Sequence, residues 1–171
     1  MRTQQGLTLV ELVITIVIIG AAVAGVVGAF ALMAGRSADV LWEARTSELG
    51  QLYLDEILTK RWADGVPNGG AKPPSDTCAV TGLESGENAA NAGDYDDVDD
   101  FDDINGVNAR FLSGSIGSEY NGYTIDVAVT CAGNELGGGF SIEDAKRIDV
   151  TITPPSGTGA PMTFTAYKAN F

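Results

Sequence analysis

Gly6-Leu7-Thr8-Leu9-Val10-Glu11 opens into Leu12–Ala34, 23 consecutive residues without a charged side chain. At about 1.5 Å per helical residue the run reaches roughly 34 Å, enough to cross a hydrocarbon layer of about 30 Å. It reads as a membrane-spanning helix with one carboxylate, Glu11, at its mouth. Ahead of it lies a short polar leader, Met1-Arg2-Thr3-Gln4-Gln5-Gly6, with a single positive charge. A secretory signal places a shorter apolar region, about 7–15 residues, before a small-residue cleavage site. Here the candidate site, Gly6, precedes the apolar run, so cleavage leaves the anchor in place. Arg2 flanks one end, and Asp39 and Glu43 lie beyond the other. The positive-inside tendency then puts the leader in the cytoplasm and the remainder outside.

An ionised carboxylate inside an apolar bundle is costly unless it is paired. Glu11 therefore either stays solvated at the membrane surface or meets a cationic partner. Gly20, Gly25, Gly28 and Gly35 interrupt the span, each costing about 1 kcal/mol against alanine in a helix interior. Two readings stand side by side: Gly20, Ala24 and Gly28 form a close-packing face between helices, or the glycines mark a weak stretch of helix.

From Ser37 to Trp62 there is no proline and one glycine. Leu41, Ala44, Leu49, Leu52, Tyr53, Ile57 and Leu58 form an apolar stripe, while Asp39, Glu43, Glu48, Asp55 and Lys60 take outward positions. That predicts an amphipathic continuation of the helix laid on a globular core. Asp64–Ala92, with its Pro-Asn-Gly-Gly and Lys-Pro-Pro-Ser turns, reads as a long loop. Period-two alternation predicts strands over Tyr123–Cys131 and Arg147–Thr153, with a third at Met162–Lys168. Gly- and Pro-rich turns separate them, as in an antiparallel meander with one face buried. The domain plan is a leader at 1–6, a transmembrane helix at 7–36, its amphipathic continuation at 37–62 and a β-rich domain at 63–171. The fold class is α+β: a long N-terminal helix packed on a small antiparallel sheet.

The formal charge is −13, with no run of Lys or Arg. Such a polyanion repels nucleic-acid phosphates, so no nucleic-acid partner is expected. The acid is concentrated: Asp94–Gly106 holds seven aspartates in thirteen residues. Hard cations take six to eight oxygens, and Asp96, Asp97, Asp99, Asp100 and Asp102 are candidate ligands for Ca²⁺. An EF-hand is excluded, since setting Gly106 at its glycine places Phe101 and Leu112 at the first and last ligand positions. The other reading is a solvated or partner-facing loop in which Tyr95, Val98, Phe101 and Ile104 tuck inward at a spacing of three. Cys78 and Cys131 both fall on the side assigned outside. In an oxidising compartment they pair, and the alternative is two buried free thiols. There is no histidine, no Gly-x-Ser-x-Gly elbow, no phosphate loop and no zinc motif, so no enzyme and no required cofactor are expected.

The order of parts at the N-terminus resembles the type III signal of type IV prepilins. The resemblance implies that a prepilin peptidase cuts after Gly6 on the cytoplasmic side and methylates the new N-terminus at Leu7. It also implies that Glu11, fifth in the mature chain, pairs with the N-terminal amine of a neighbouring subunit and sets assembly register. Leu7 stands where the family usually has phenylalanine, and Gly28 where many pilins carry a proline, with helix lost between Gly20 and Gly28 in the filament. Tyr95 followed by Asp-Asp-Val-Asp-Asp-Phe, with Tyr53-Leu54-Asp55-Glu56-Ile57-Leu58 and Lys60-Arg61, is similar to the D-type minor pilins of mannose-sensitive haemagglutinin (MSHA) pili. That likeness implies a minor pilin of the bacterial inner membrane with a periplasmic C-terminal domain, later at the pilus surface. Its implied partners are other pilins, the peptidase and the inner-membrane assembly platform. A pseudopilin of a type II secretion or competence system shares the same chemistry. A membrane-anchored binding module with a cation-binding acidic loop is the alternative from another class.

Overall fold

The computed structural model describes residues 8–67, 78–110 and 116–170, with the side chains of residues 35–39 and 92 outside that description. The chain divides into two units, Met1–Leu41 and Trp42–Phe171. Helix α1, Leu9–Thr59, contributes to both.

In the first unit α1 is started by Thr8, whose Oγ1 accepts the Glu11 N–H at 3.3 Å. An N-cap of this kind satisfies one of the orphan donors of the first turn. Leu9–Ala34 is long and apolar enough to cross a membrane. Its large apolar side chains, from Leu9 to Met33, face outward. The helix is unbroken through Gly20, Gly25 and Gly28. A Cβ at any of the three would meet nothing within 4 Å, so their small size serves no contact inside the described chain.

In the second unit the end of α1 lies on a four-stranded antiparallel meander of order β1-β2-β3-β4. The strands are β1 (Val107–Asn108), β2 (Thr124–Cys131), β3 (Ala145–Thr153) and β4 (Met162–Ala169). The register pairs Val127 with Val150 and Ile148 with Ala166. Ile125, Val127 and Val129 of β2 and Ile148, Val150 and Ile152 of β3 are all buried, because side chains alternate faces along a strand. The three predicted strands are present, while β1, at two residues, is too short to show alternation in the sequence.

The buried face of the helix is Thr46, Leu49, Gly50, Tyr53 and Ile57. Leu41, Ala44 and Leu58, assigned to the inner stripe, are exposed. At 100° per residue they sit about 120–180° from Tyr53. Gly50 is the point of closest approach: a Cβ there would lie 2.2 Å from Cδ2 of Phe164 on β4. The helix ends at Thr59, short of the predicted Trp62. Its continuation is captured by the acidic segment: the Arg61 N–H donates to the Asp96 carbonyl at 3.3 Å and the Val98 N–H to the Arg61 carbonyl at 3.1 Å.

Candidate functional site

Glu11 is exposed on the first turn of α1. Its backbone carbonyl accepts the Thr15 hydroxyl at 2.7 Å. Thr8-Leu9-Val10-Glu11 also has the spacing of a capping box, a helix-start signal independent of any partner for the carboxylate. Gly6 and Leu7 lie outside the described residues. Cys78 and Cys131 form a disulfide, which ties the start of the 78–92 loop to the end of β2.

The acidic segment folds around its apolar residues. Tyr95, Val98, Phe101 and Ile104 are each 2% exposed or less, the inward spacing of three that the sequence suggests. Asp97, Asp99 and Asp100 are buried with them, so the loop is not simply solvated. They are held by local hydrogen bonds: Asp97 Oδ1 accepts the N–H groups of Asp99 (2.7 Å) and Asp100 (3.3 Å), and Asp100 Oδ2 those of Asp96 (2.8 Å) and Asp97 (3.0 Å). These carboxylates satisfy backbone donors at the start of a tight 3₁₀ turn, Asp99–Asp103, and in the residues just before it. On the other side Asp102 Oδ1 accepts the Val129 N–H at 2.8 Å and the Ile104 carbonyl accepts that of Val127 at 2.8 Å. The segment is thereby fastened to β2.

Asp99 faces a residue that sequence reasoning missed. Lys146, on the core-facing side of β3, is 0% exposed. Its Nζ pairs with Asp99 Oδ1, donates to the Trp62 carbonyl at 2.8 Å and sits 4.7 Å from the Trp62 ring centroid. Burial raises Asp99 to about 6 against the opposing pull of Lys146.

Of the five aspartates proposed as ligands, Asp96, Asp97 and Asp100 converge, while Asp99 and Asp102 turn away to Lys146 and Val129. The converging three are joined by Asp64, Glu84 and Glu87, none of them in the aspartate run. Glu84, Asp97 and Asp100 bring one carboxylate oxygen each within 4.8 Å of one another. The same holds for Glu87, Asp96 and Asp100, for Asp64, Asp96 and Asp97, and for Asp64, Glu84 and Glu87. Gly82, at φ +67°, makes the turn that seats the glutamates. The following Leu83 N–H donates to Asp103 Oδ2 at 2.8 Å, and the Glu84 N–H to Glu87 Oε2 at 2.7 Å. Burial pushes Asp97 and Glu84 up and Asp100 up to about 7, the last further raised by the charge of Asp97. The sequence signal for the glutamates was faint: two acids three apart in a turn punctuated by Gly82 and Gly86.

An outward-facing apolar helix followed by a small four-stranded antiparallel sheet is an α+β arrangement consistent with a type IV pilin-like fold. Residues 1–27 match the family model of the prokaryotic N-terminal methylation motif. The chain thus carries a prepilin-type signal at the head of a helix long and apolar enough to cross a membrane, and that signal marks structural subunits rather than enzymes. Comparison with curated proteins and with solved structures finds no match.

Proposed function

We propose that this chain is a minor pilin of an MSHA-like type IV pilus. Prepilin peptidase cuts after Gly6 and methylates Leu7. The chain waits in the inner membrane with its β-rich domain in the periplasm, then enters the filament through its apolar helix and the assembly platform. The observation that carries the reading is the methylation motif at residues 1–27 on a helix whose apolar side chains from Leu9 to Met33 face outward. Apolar side chains exposed in this way are available to lipid first and to neighbouring helices afterwards, where close packing drives association. The minor-pilin assignment rests on the likeness of the acidic segment and of Tyr53–Arg61 to D-type subunits.

N-terminal peptide mass spectrometry on protein extracted from its native membrane tests the processing. The expected mature chain begins at methylated Leu7. An intact Met1, or a cut beyond Ala34, removes the basis for filament assembly and returns the chain to the class of anchored binding modules. Sheared, purified pili distinguish the filament: the subunit is expected in the pilus fraction, and its absence there together with a secretion or uptake defect in the deletion strain indicates a pseudopilin.

A further inference from the structure

Three carboxylate oxygens in the acidic ring are buried without a hydrogen-bond partner: Glu84 Oε2, Asp97 Oδ2 and Asp100 Oδ1. They come one from each member of a triad whose ligand-bearing oxygens lie within 4.8 Å of one another. Asp97 and Asp100 are themselves 0% exposed. A buried acceptor without a donor carries its full desolvation cost, and more so when it is charged. The backbone N–H groups already occupy the other oxygen of each aspartate, Asp97 Oδ1 and Asp100 Oδ2. The fold therefore spends one oxygen of each on its own turn and leaves the second buried without a hydrogen bond.

Among the described residues no basic side chain hydrogen-bonds these three oxygens. Lys146 is engaged by Asp99 and the Trp62 carbonyl. Arg61 pairs with Asp96 and, at 3.3 Å, with Asp64, both half-exposed, so its guanidinium serves the rim.

We propose that Glu84, Asp97 and Asp100, with Glu87, Asp96 and Asp64 completing the shell, bind one calcium ion that locks the 81–87 turn onto the acidic segment. Oxygens about 2.4 Å from a calcium ion lie at most about 4.8 Å apart, a limit that each triad meets. The donor set is hard oxygen throughout: the chain has no histidine, and both cysteines are in the disulfide. Zinc and copper chemistry is disfavoured by such a set. Magnesium is disfavoured too, since it keeps its waters and uses one or two carboxylates, whereas calcium accepts a larger and more irregular carboxylate shell. The site lies wholly within the Trp42–Phe171 unit and stands independently of the filament reading.

The test uses the full chain in detergent, stripped with a chelator and followed by calorimetric titration with calcium and by thermal unfolding read from tryptophan fluorescence. The expected result is one ion per chain and a rise in unfolding temperature of about 5 °C or more at 1 mM calcium, with a smaller rise for magnesium. Asp100→Asn keeps an oxygen for the Asp96 and Asp97 N–H groups and puts an amide donor where the unpartnered oxygen was. It is expected to abolish the calcium shift while melting no lower than the stripped wild type. Glu84→Gln, at a half-buried position on the 81–87 turn and outside the aspartate run, is the second variant and is expected to weaken calcium binding at least tenfold. Absence of heat and shift in the wild type overturns the proposal, as does an equal shift in wild type and both variants. An equal response to magnesium overturns the choice of ion.

Discussion

The Lys146 ammonium is buried against the Asp99 carboxylate, 47 residues away in the chain, and this pair removes Asp99 from the acidic ring that its sequence neighbours Asp97 and Asp100 join. One lysine thus divides a run of chemically identical side chains into a structural member and a ring. Removing one partner of a buried pair leaves an uncompensated charge, and Lys146→Met is expected to cost about 3–5 kcal/mol. Lys146→Met with Asp99→Asn should recover part of that loss, the remainder reflecting the Trp62 carbonyl left without its donor. Chemical unfolding of the detergent-solubilised chain measures both; equal stability of the single and double variants would show that the pair is not coupled.

What the sequence revealed here and what it hid follow from the range of the interactions. Tyr95, Val98, Phe101 and Ile104 could be placed inward because their spacing of three is local, and the strands because alternation is local. Lys146 was invisible because a lysine beside Arg147 reads as the solvated start of a strand, and its partners arrive from Trp62 and Asp99. Glu84 and Glu87 leave only a faint signal for the same reason: the folded 81–87 turn, held by Asp103, is what brings them to Asp97 and Asp100. The inner stripe of α1 was drawn too wide because hydrophobicity alone does not distinguish Leu58 from Ile57, whereas the angular position on the helix does.

Gly50 permits the approach of Phe164 to α1, with a hypothetical Cβ 2.2 Å from Cδ2 and 2.7 Å from Cγ of the ring. Because Cγ is near the root of the side chain, a small rotation of the ring does not relieve the overlap. Gly50→Ala gains about 1 kcal/mol of helix propensity against an overpacking cost of about 1–3 kcal/mol. The expected outcome is a net loss of stability of about 1 kcal/mol. Phe164→Leu in the Gly50→Ala background should restore part of it, and a Gly50→Ala variant more stable than wild type would show that the ring moves freely.

The Cys78–Cys131 bridge closes a loop with a sequence separation of 53, for which the chain-entropy model gives about 4 kcal/mol. It also anchors the chain shortly before the turn that carries Glu84 and Glu87. Cys78→Ser with Cys131→Ser is therefore expected to lower the unfolding temperature and to weaken calcium binding together. A thiol count under denaturing, non-reducing conditions should find neither cysteine reactive; two reactive thiols would refute the bridge.

Glu11 has two separable roles at one address, since its backbone N–H is capped by Thr8 and its side chain is free to meet a partner outside the chain. Glu11→Ala removes the carboxylate and leaves the Thr8 cap available, so the helix start and membrane insertion should persist. If the carboxylate pairs with the N-terminal amine of a neighbouring subunit, incorporation into filaments should fall sharply. Glu11→Gln should fall nearly as far, because the amide lacks the charge that makes such a bond strong. Thr8→Ala is the control: it costs about 1 kcal/mol of capping but keeps the charge, and should assemble close to normally. The ratio of pilus-bound to membrane-bound subunit, by immunoblot of sheared and cell fractions, reads all three. Normal incorporation of Glu11→Ala would end the register role, and equal defects in Glu11→Ala and Thr8→Ala would assign the effect to the helix start.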